Sequence, residues 1–200
     1  AIGLNILNWK LINKPGALPQ MIYDFDIINK AFMHTNIIDM TDIVRQTGGK
    51  KKRIEHIIVH HDAYPYGENS WDKVNELHKD KRWGGISYHY FISKSGRIYK
   101  NHPDSALTIH AGTDKANAVS IAVCIQGNFN KQTLQGKQKK SLMYVLHKLK
   151  NKYPKARILT HKYFKSTSCP GDNISIKELI ITSWKPHINH FKNDSSSLSL

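Results

Sequence analysis

Cysteine is almost absent from this chain: among 200 residues there are two, Cys124 and Cys169. That excludes a disulfide-stapled scaffold, and no bridge between the two is indicated. Cys124 sits in the apolar run Ile121-Ala122-Val123-Cys124-Ile125, where it reads as a small core residue. Acidic residues are also scarce, 15 Asp and Glu against 30 Lys and Arg, for a formal net charge of +15. Such an imbalance implies polyanionic surroundings: nucleic acid, an anionic membrane or an anionic envelope polymer. Specific nucleic-acid recognition has no footprint here, because there is no arginine-rich stripe interleaved with aromatics and no helix-turn-helix or zinc-finger spacing. No run approaches the roughly 18 apolar residues of a transmembrane segment, and no signal-peptide layout opens the chain. The length suits one compact domain with a substantial core.

What is present is organised around His161-Lys162-Tyr163-Phe164-Lys165-Ser166-Thr167-Ser168-Cys169-Pro170-Gly171-Asp172. The His and the Cys are separated by residues without apolar periodicity and followed by a Pro-Gly turn, so they read as two ends of a closing loop. Imidazole and thiolate are ligand types that Zn²⁺ prefers, and a catalytic zinc site typically has three protein ligands with one position open to water. Upstream, Ile57-Ile58-Val59-His60-His61-Asp62-Ala63 reads as a buried strand whose last residues emerge at a sheet edge. Successive strand side chains alternate in direction, so only one of the paired histidines faces a given site.

These motifs, with Leu77-His78-Lys79, Gly84-Gly85-Ile86-Ser87-Tyr88-His89-Tyr90-Phe91-Ile92, Gly96-Arg97-Ile98-Tyr99, Ile109-His110-Ala111-Gly112, Ser120-Ile121-Ala122-Val123 and Gly127-Asn128-Phe129, follow one order between Arg53 and Trp184. In that order the chain resembles the zinc-dependent N-acetylmuramoyl-L-alanine amidases of the phage T7 lysozyme and peptidoglycan recognition protein type. The resemblance implies an α/β fold with a single mixed β-sheet flanked by helices. It implies one Zn²⁺ per chain, held by His60, His161 and Cys169, and hydrolysis of the amide between N-acetylmuramic acid and L-alanine in peptidoglycan. Tyr88 matches the tyrosine beside the metal, a candidate donor to the oxyanion. Thr167 stands where T7-type enzymes carry lysine and recognition-protein amidases carry threonine; its hydroxyl can donate but brings no positive charge, and Glu68 is a weak alternative base. His110 matches a cleft histidine expected to contact substrate, and His61 is expected beside the metal shell or at the substrate. The alternative is a peptidoglycan-binding module without activity, a type that commonly lacks the cysteine.

The element pattern agrees with an α/β domain. Strands are expected over 54–59, 87–92, 98–99, 119–126 and 158–159, with helices over 70–82 and 133–153. Trp71, Val74, Leu77 and His78 are expected to form the inner face of the first helix, with Ser70 as its N-cap. Ser175 and Glu178 form a capping box for a last helix whose inner face includes Trp184. Residues 1–52 read as an N-terminal extension or connector, with strand-like alternation over 5–12 and a short helix within 22–32; residues 53–192 form the catalytic domain and 193–200 a Ser-rich tail or linker. Ala1 and that tail suggest a domain excised from a modular phage endolysin or bacterial autolysin, secreted or released by lysis, acting as a monomer at the bacterial cell wall. Its partners are then peptidoglycan and, through the dispersed lysines, anionic wall polymers. His78, His89, His102 and His147 read as packing residues, and Arg82, Lys115 and Asn117 as unplaced cleft candidates.

Overall fold

The structure, a computed structural model, describes residues 37–44, 48–64 and 70–179. The alternation at 5–12, the helix within 22–32, Glu68, Trp184 and the tail from 193 lie outside them.

Six strands form one mixed sheet in the order β1-β4-β3-β5-β2-β6. They are β1 (Ile37–Asp39), β2 (His56–His61), β3 (Tyr90–Ile92), β4 (Ile98–Lys100), β5 (Ser120–Ile125) and β6 (Arg157–Thr160). The turn through Gly96 joins β3 to β4 antiparallel, whereas β2 pairs parallel with both β5 and β6. β2 is therefore interior: its histidines emerge at the C-terminal end of a central strand, not at a sheet edge. The edge strand β1 carries no motif in the sequence; three residues pair with Ile98–Lys100 and extend the sheet.

A central strand apolar on both sides requires cover on both faces. On one face Ile57, Val59, Ile121, Val123 and Ile125 pack against Leu142, Val145, Leu146 and Leu149 of the long helix α3 (Gly136–Lys152). On the other, Phe91 and Cys124 meet Trp71 and Val74 of α1 (Trp71–Asp80), and Ile58 meets Ala116 of the short α2 (Asp114–Asn117). Each fully buried aliphatic side chain contributes about 1.5–3 kcal/mol, enough in sum to set the strand register. Helix α3 begins at Gly136, three residues later than expected, and Leu77 is 47% exposed while Asn75 takes the inner position. The Asn75 carboxamide oxygen accepts from the Ile86 backbone N–H (2.9 Å). Ser70 stands at the N-cap of α1 without a capping bond, its hydroxyl donating to Asp62 instead. In the last capping box the Glu178 N–H donates to Ser175 Oγ (3.2 Å).

A polar cluster lies near the second face. His89 is fully buried, and its Nδ1 accepts from the Ala122 backbone N–H (3.0 Å), which leaves the ring proton on Nε2, donated to the Ala106 carbonyl (3.0 Å). The Lys51 amine touches the same Nε2 and also donates to the Asp104 carbonyl (3.1 Å). Beside an N–H, the charged form of the Lys51 amine is disfavoured. Desolvation acts in the same direction and lowers its pKa from 10.5 to about 7.

The stability consequence has a definite sign. Between about pH 7 and 10.5 the unfolded chain binds more protons at Lys51 than the folded chain, so this residue makes stability rise with pH there, by no more than about 1.4 kcal/mol per unit. Chemical denaturation of the protein and of Lys51→Met at pH 6, 7.5 and 9 should show that rise in the former and a shallower slope in the latter. Parallel slopes would mean that the folded amine stays charged.

Candidate metal centre

Strand alternation divides the two histidines. His60 shares a face with Ile58, and His61 shares the opposite one with Ile57 and Val59. His61 stacks near Phe129 (6.3 Å between centroids), and its Nδ1 accepts from the Phe129 N–H (3.3 Å). His60 instead meets two residues delivered by β6 and the loop after it. β6 ends at Thr160, and His161 opens a single 3-10 turn; the chain then returns so that the Lys162 N–H donates to the Cys169 carbonyl (3.0 Å).

The ligand atoms of His60, His161 and Cys169 all lie within 4.8 Å of one another. The Cys169 sulfur is 3.8 Å from His60 Nδ1, and the His60 and His161 rings are 4.5 Å apart. His161 Nε2 is buried without a hydrogen-bond partner. A buried ring nitrogen left unpaired beside a thiol and a second imidazole is what a metal site looks like from the ligands' side. Burial first, then neighbouring histidines, lower the pKa of His60 well below the usual value; burial and Lys165 lower that of His161. Both rings are thereby held neutral, the form that binds metal. The thiol is pushed the other way, to about 12, by burial, so a cation must displace its proton; the His61 N–H, donating to the sulfur (3.3 Å), offsets part of that rise.

Tyr88 packs on the His60 ring (5.2 Å) and on His78 (5.3 Å). Burial, reinforced by Cys124, Cys169 and Asp62, raises its phenol well above the ordinary value and keeps the hydroxyl protonated as a donor. Thr167 is exposed, and its oxygen accepts from the Cys169 N–H (3.3 Å), so its own proton points away from that bond. His110 is buried next to His60, its Nδ1 3.1 Å from His60 Nε2, and its other ring nitrogen lies 3.2 Å from Ser120 Oγ. Asn117 is also buried, and its carbonyl oxygen accepts from the His110 and Ala111 N–H groups, which fixes that loop. Lys115 lines a separate basic pocket, and Arg82 sits in a positive-φ turn after α1.

Two residues escaped the sequence reading. Asp62 accepts from the N–H groups of Tyr64 (3.0 Å) and Gly127 (2.7 Å) and from Ser70, tying the end of β2 to its neighbours. An acid directly after paired histidines was a visible signal. Ser120, the one hydroxyl opening an apolar strand, was a fainter one.

The site belongs to a known class. Residues 50–172 match the N-acetylmuramoyl-L-alanine amidase family, and the chain is a member of that family. It is 27% identical over 104 residues to an endolysin of Enterobacteria phage K11, covering 50% of this chain and 68% of that one. To peptidoglycan-recognition protein SC1a of Drosophila melanogaster it is 25% identical over 138 residues, covering 64% and 74%. Among solved structures, the amidase LysC from Clostridium intestinale superposes with a TM-score of 0.66 at 29% identity, over 74% of this chain and 96% of that one. The family thus includes both endolysins and peptidoglycan-recognition proteins, and the chain is a peptidoglycan amidase or a peptidoglycan-binding domain.

The loop carrying Cys169 depends on Gly171. Its φ is +103°, and a Cβ there would stand 2.4 Å from the Phe129 carbonyl carbon. Gly171→Ala should lower stability by about 2 kcal/mol or more and weaken metal binding together with it, read by thermal unfolding and by metal titration. Unchanged values in both would show that the loop can be rebuilt around a methyl group.

Proposed function

We propose that this chain is a zinc amidase that cleaves peptidoglycan between N-acetylmuramic acid and L-alanine. The observation that carries the reading is the triad of two imidazoles and one thiol, His60 and Cys169 buried and His161 half-buried, with the unpartnered His161 Nε2 among them. His60, His161 and Cys169 would hold the ion. When bound, zinc supplies Lewis-acid activation of a water and of the scissile carbonyl. Tyr88 would donate a hydrogen bond to the carbonyl oxygen as negative charge develops there, and the Thr167 hydroxyl would offer a second, uncharged donor. His61, behind the sheet, holds the Phe129 backbone rather than the sugar or peptide. The work is done at the bacterial cell wall, as in an endolysin or autolysin.

Anionic wall polymers suit a second feature. A pocket of about 430 Å³ is lined by Lys50, Lys51, Lys52, Arg53 and Lys115. Arg53 pairs with Glu55, whereas Lys50, Lys52 and Lys115 have no carboxylate partner among the described residues. Their fields favour phosphate-rich chains and are screened by salt.

Purified cell walls digested by the protein should release peptides with free N-terminal L-alanine, seen by mass spectrometry, with about one zinc per chain by elemental analysis. Cys169→Ala or a strong chelator should abolish both, and Tyr88→Phe should lower the rate by about 10²-fold with zinc retained. Walls bound without new amino termini would favour the binding-module reading instead. Wall binding at 50 mM salt should fall steeply by 500 mM; salt-independent binding would remove the role assigned to the basic pocket.

A further inference from the structure

A line of hydrogen bonds runs from the metal cluster back into the fold, and its direction can be read from what each atom is able to donate. Ser120 has one hydroxyl hydrogen, and that hydrogen is used: it goes to the Ala116 carbonyl of α2 at 2.6 Å. Toward His110 Nε2, 3.2 Å away, Ser120 Oγ can therefore only accept, so His110 carries its ring proton on Nε2. The His110 Nδ1 is then a lone pair. It lies 3.1 Å from His60 Nε2, which must supply the hydrogen. With its proton on Nε2, His60 presents a bare Nδ1, the atom 3.8 Å from the Cys169 sulfur.

We infer that the Ala116 carbonyl, Ser120 and His110 form a directional relay that locks His60 in the one tautomer able to ligate metal through Nδ1, making Ser120 and His110 positioning residues of the centre. This rests on the metal-binding reading above and assigns to His110 a task other than substrate contact. Both relay residues are buried, Ser120 completely, so water does not compete for the bonds. Asn117 fixes the relay from the backbone side through the His110 N–H, 3.0 Å from its carboxamide oxygen. Without a fixed acceptor, an imidazole in this pocket places its hydrogen on either nitrogen, and the Nδ1–H form must rearrange before it can bind.

Substitutions separate hydrogen-bond direction from packing. Ser120→Ala removes the acceptor, and Ser120→Thr keeps it. His110→Leu fills space without polar atoms, whereas His110→Gln retains an acceptor and a donor with nearly the ring's separation. Zinc affinity of the full chain, measured by competition with a chromophoric chelator, should fall about 10- to 100-fold in Ser120→Ala and His110→Leu. It should stay within about threefold of the parent in Ser120→Thr and His110→Gln. In the metal-free protein, nitrogen-15 spectra of the imidazoles should place the His60 hydrogen on Nε2, and in Ser120→Ala on a mixture of both nitrogens. Circular dichroism confirms that each variant is folded. Equal affinities across all four folded variants, or a His60 hydrogen on Nδ1 in the parent, would overturn the relay and leave the ligand set standing. A parent that binds no zinc, or binds it equally well as Cys169→Ala, would overturn the metal reading itself, while the metal-free spectra still decide the tautomer.

Discussion

The parallel pairing of β2 with β5 on one side and β6 on the other is the constraint on which the rest of this structure depends. Register in a sheet buried on both faces is strict, because a slip of one residue would carry Ile57, Val59 and His61 to the face now held by Ile58 and His60. That slip would take Ile57 and Val59 away from the leucines of α3 and His60 away from His161 and Cys169. The same register sets β6 beside β2 so that β6 ends at Thr160, opposite Val59, one residue short of His60. His161 then follows at the level of His60. The centre is thus a product of strand ends meeting, as open α/β sheets generally place their sites beyond the carboxyl ends of strands.

Burial gives that meeting its chemistry. Desolvation favours the neutral imidazole and the protonated thiol alike, which predisposes two ligands and opposes the third. A cation would resolve the conflict by replacing the thiol proton, so metal binding here would be coupled to proton release. Tyr88 belongs to the same environment: a phenol that resists ionisation is a lasting hydrogen-bond donor, the property needed beside a developing oxyanion. The rigid loops that hold these groups are closed by backbone contacts too tight for a side chain, as at Gly171.

Other histidines show that ligand chemistry alone does not make a site. His89 and His78 are as buried as the ligands, yet each has a nitrogen occupied by a backbone N–H, of Ala122 and of Ser87 respectively. Among the described residues His56, His102 and His161 each have a buried ring nitrogen that nothing occupies, and of these only His161 stands with a second imidazole and a thiol, all ligand atoms within 4.8 Å. The basic surface follows a similar rule: charge is dispersed over the chain, but Lys50, Lys52 and Lys115, which have no carboxylate partner among the described residues, meet around one pocket where the loop at 49–51 approaches the loop at 105–107.

How much of this was legible depended on the range of the interaction. The α/β class, the hairpin through Gly96, the long helix and the strand ending in paired histidines were written in local periodicity, and the ordered motifs identified the family and nominated His60, His161 and Cys169. The strand β1 was not legible, because three residues become a strand only where a partner edge is available. Nor was the inner position of Asn75, which depends on the Ile86 backbone approaching it. The division of labour between His60 and His61 needed the sheet register, and the roles of Asp62, Ser120 and Asn117 needed contacts across distant loops. Residue identity along the chain determines which donors and acceptors exist, since periodicity and motif spacing are local; which of them meet is decided by tertiary packing, because hydrogen bonds join atoms a few ångströms apart regardless of their separation in sequence.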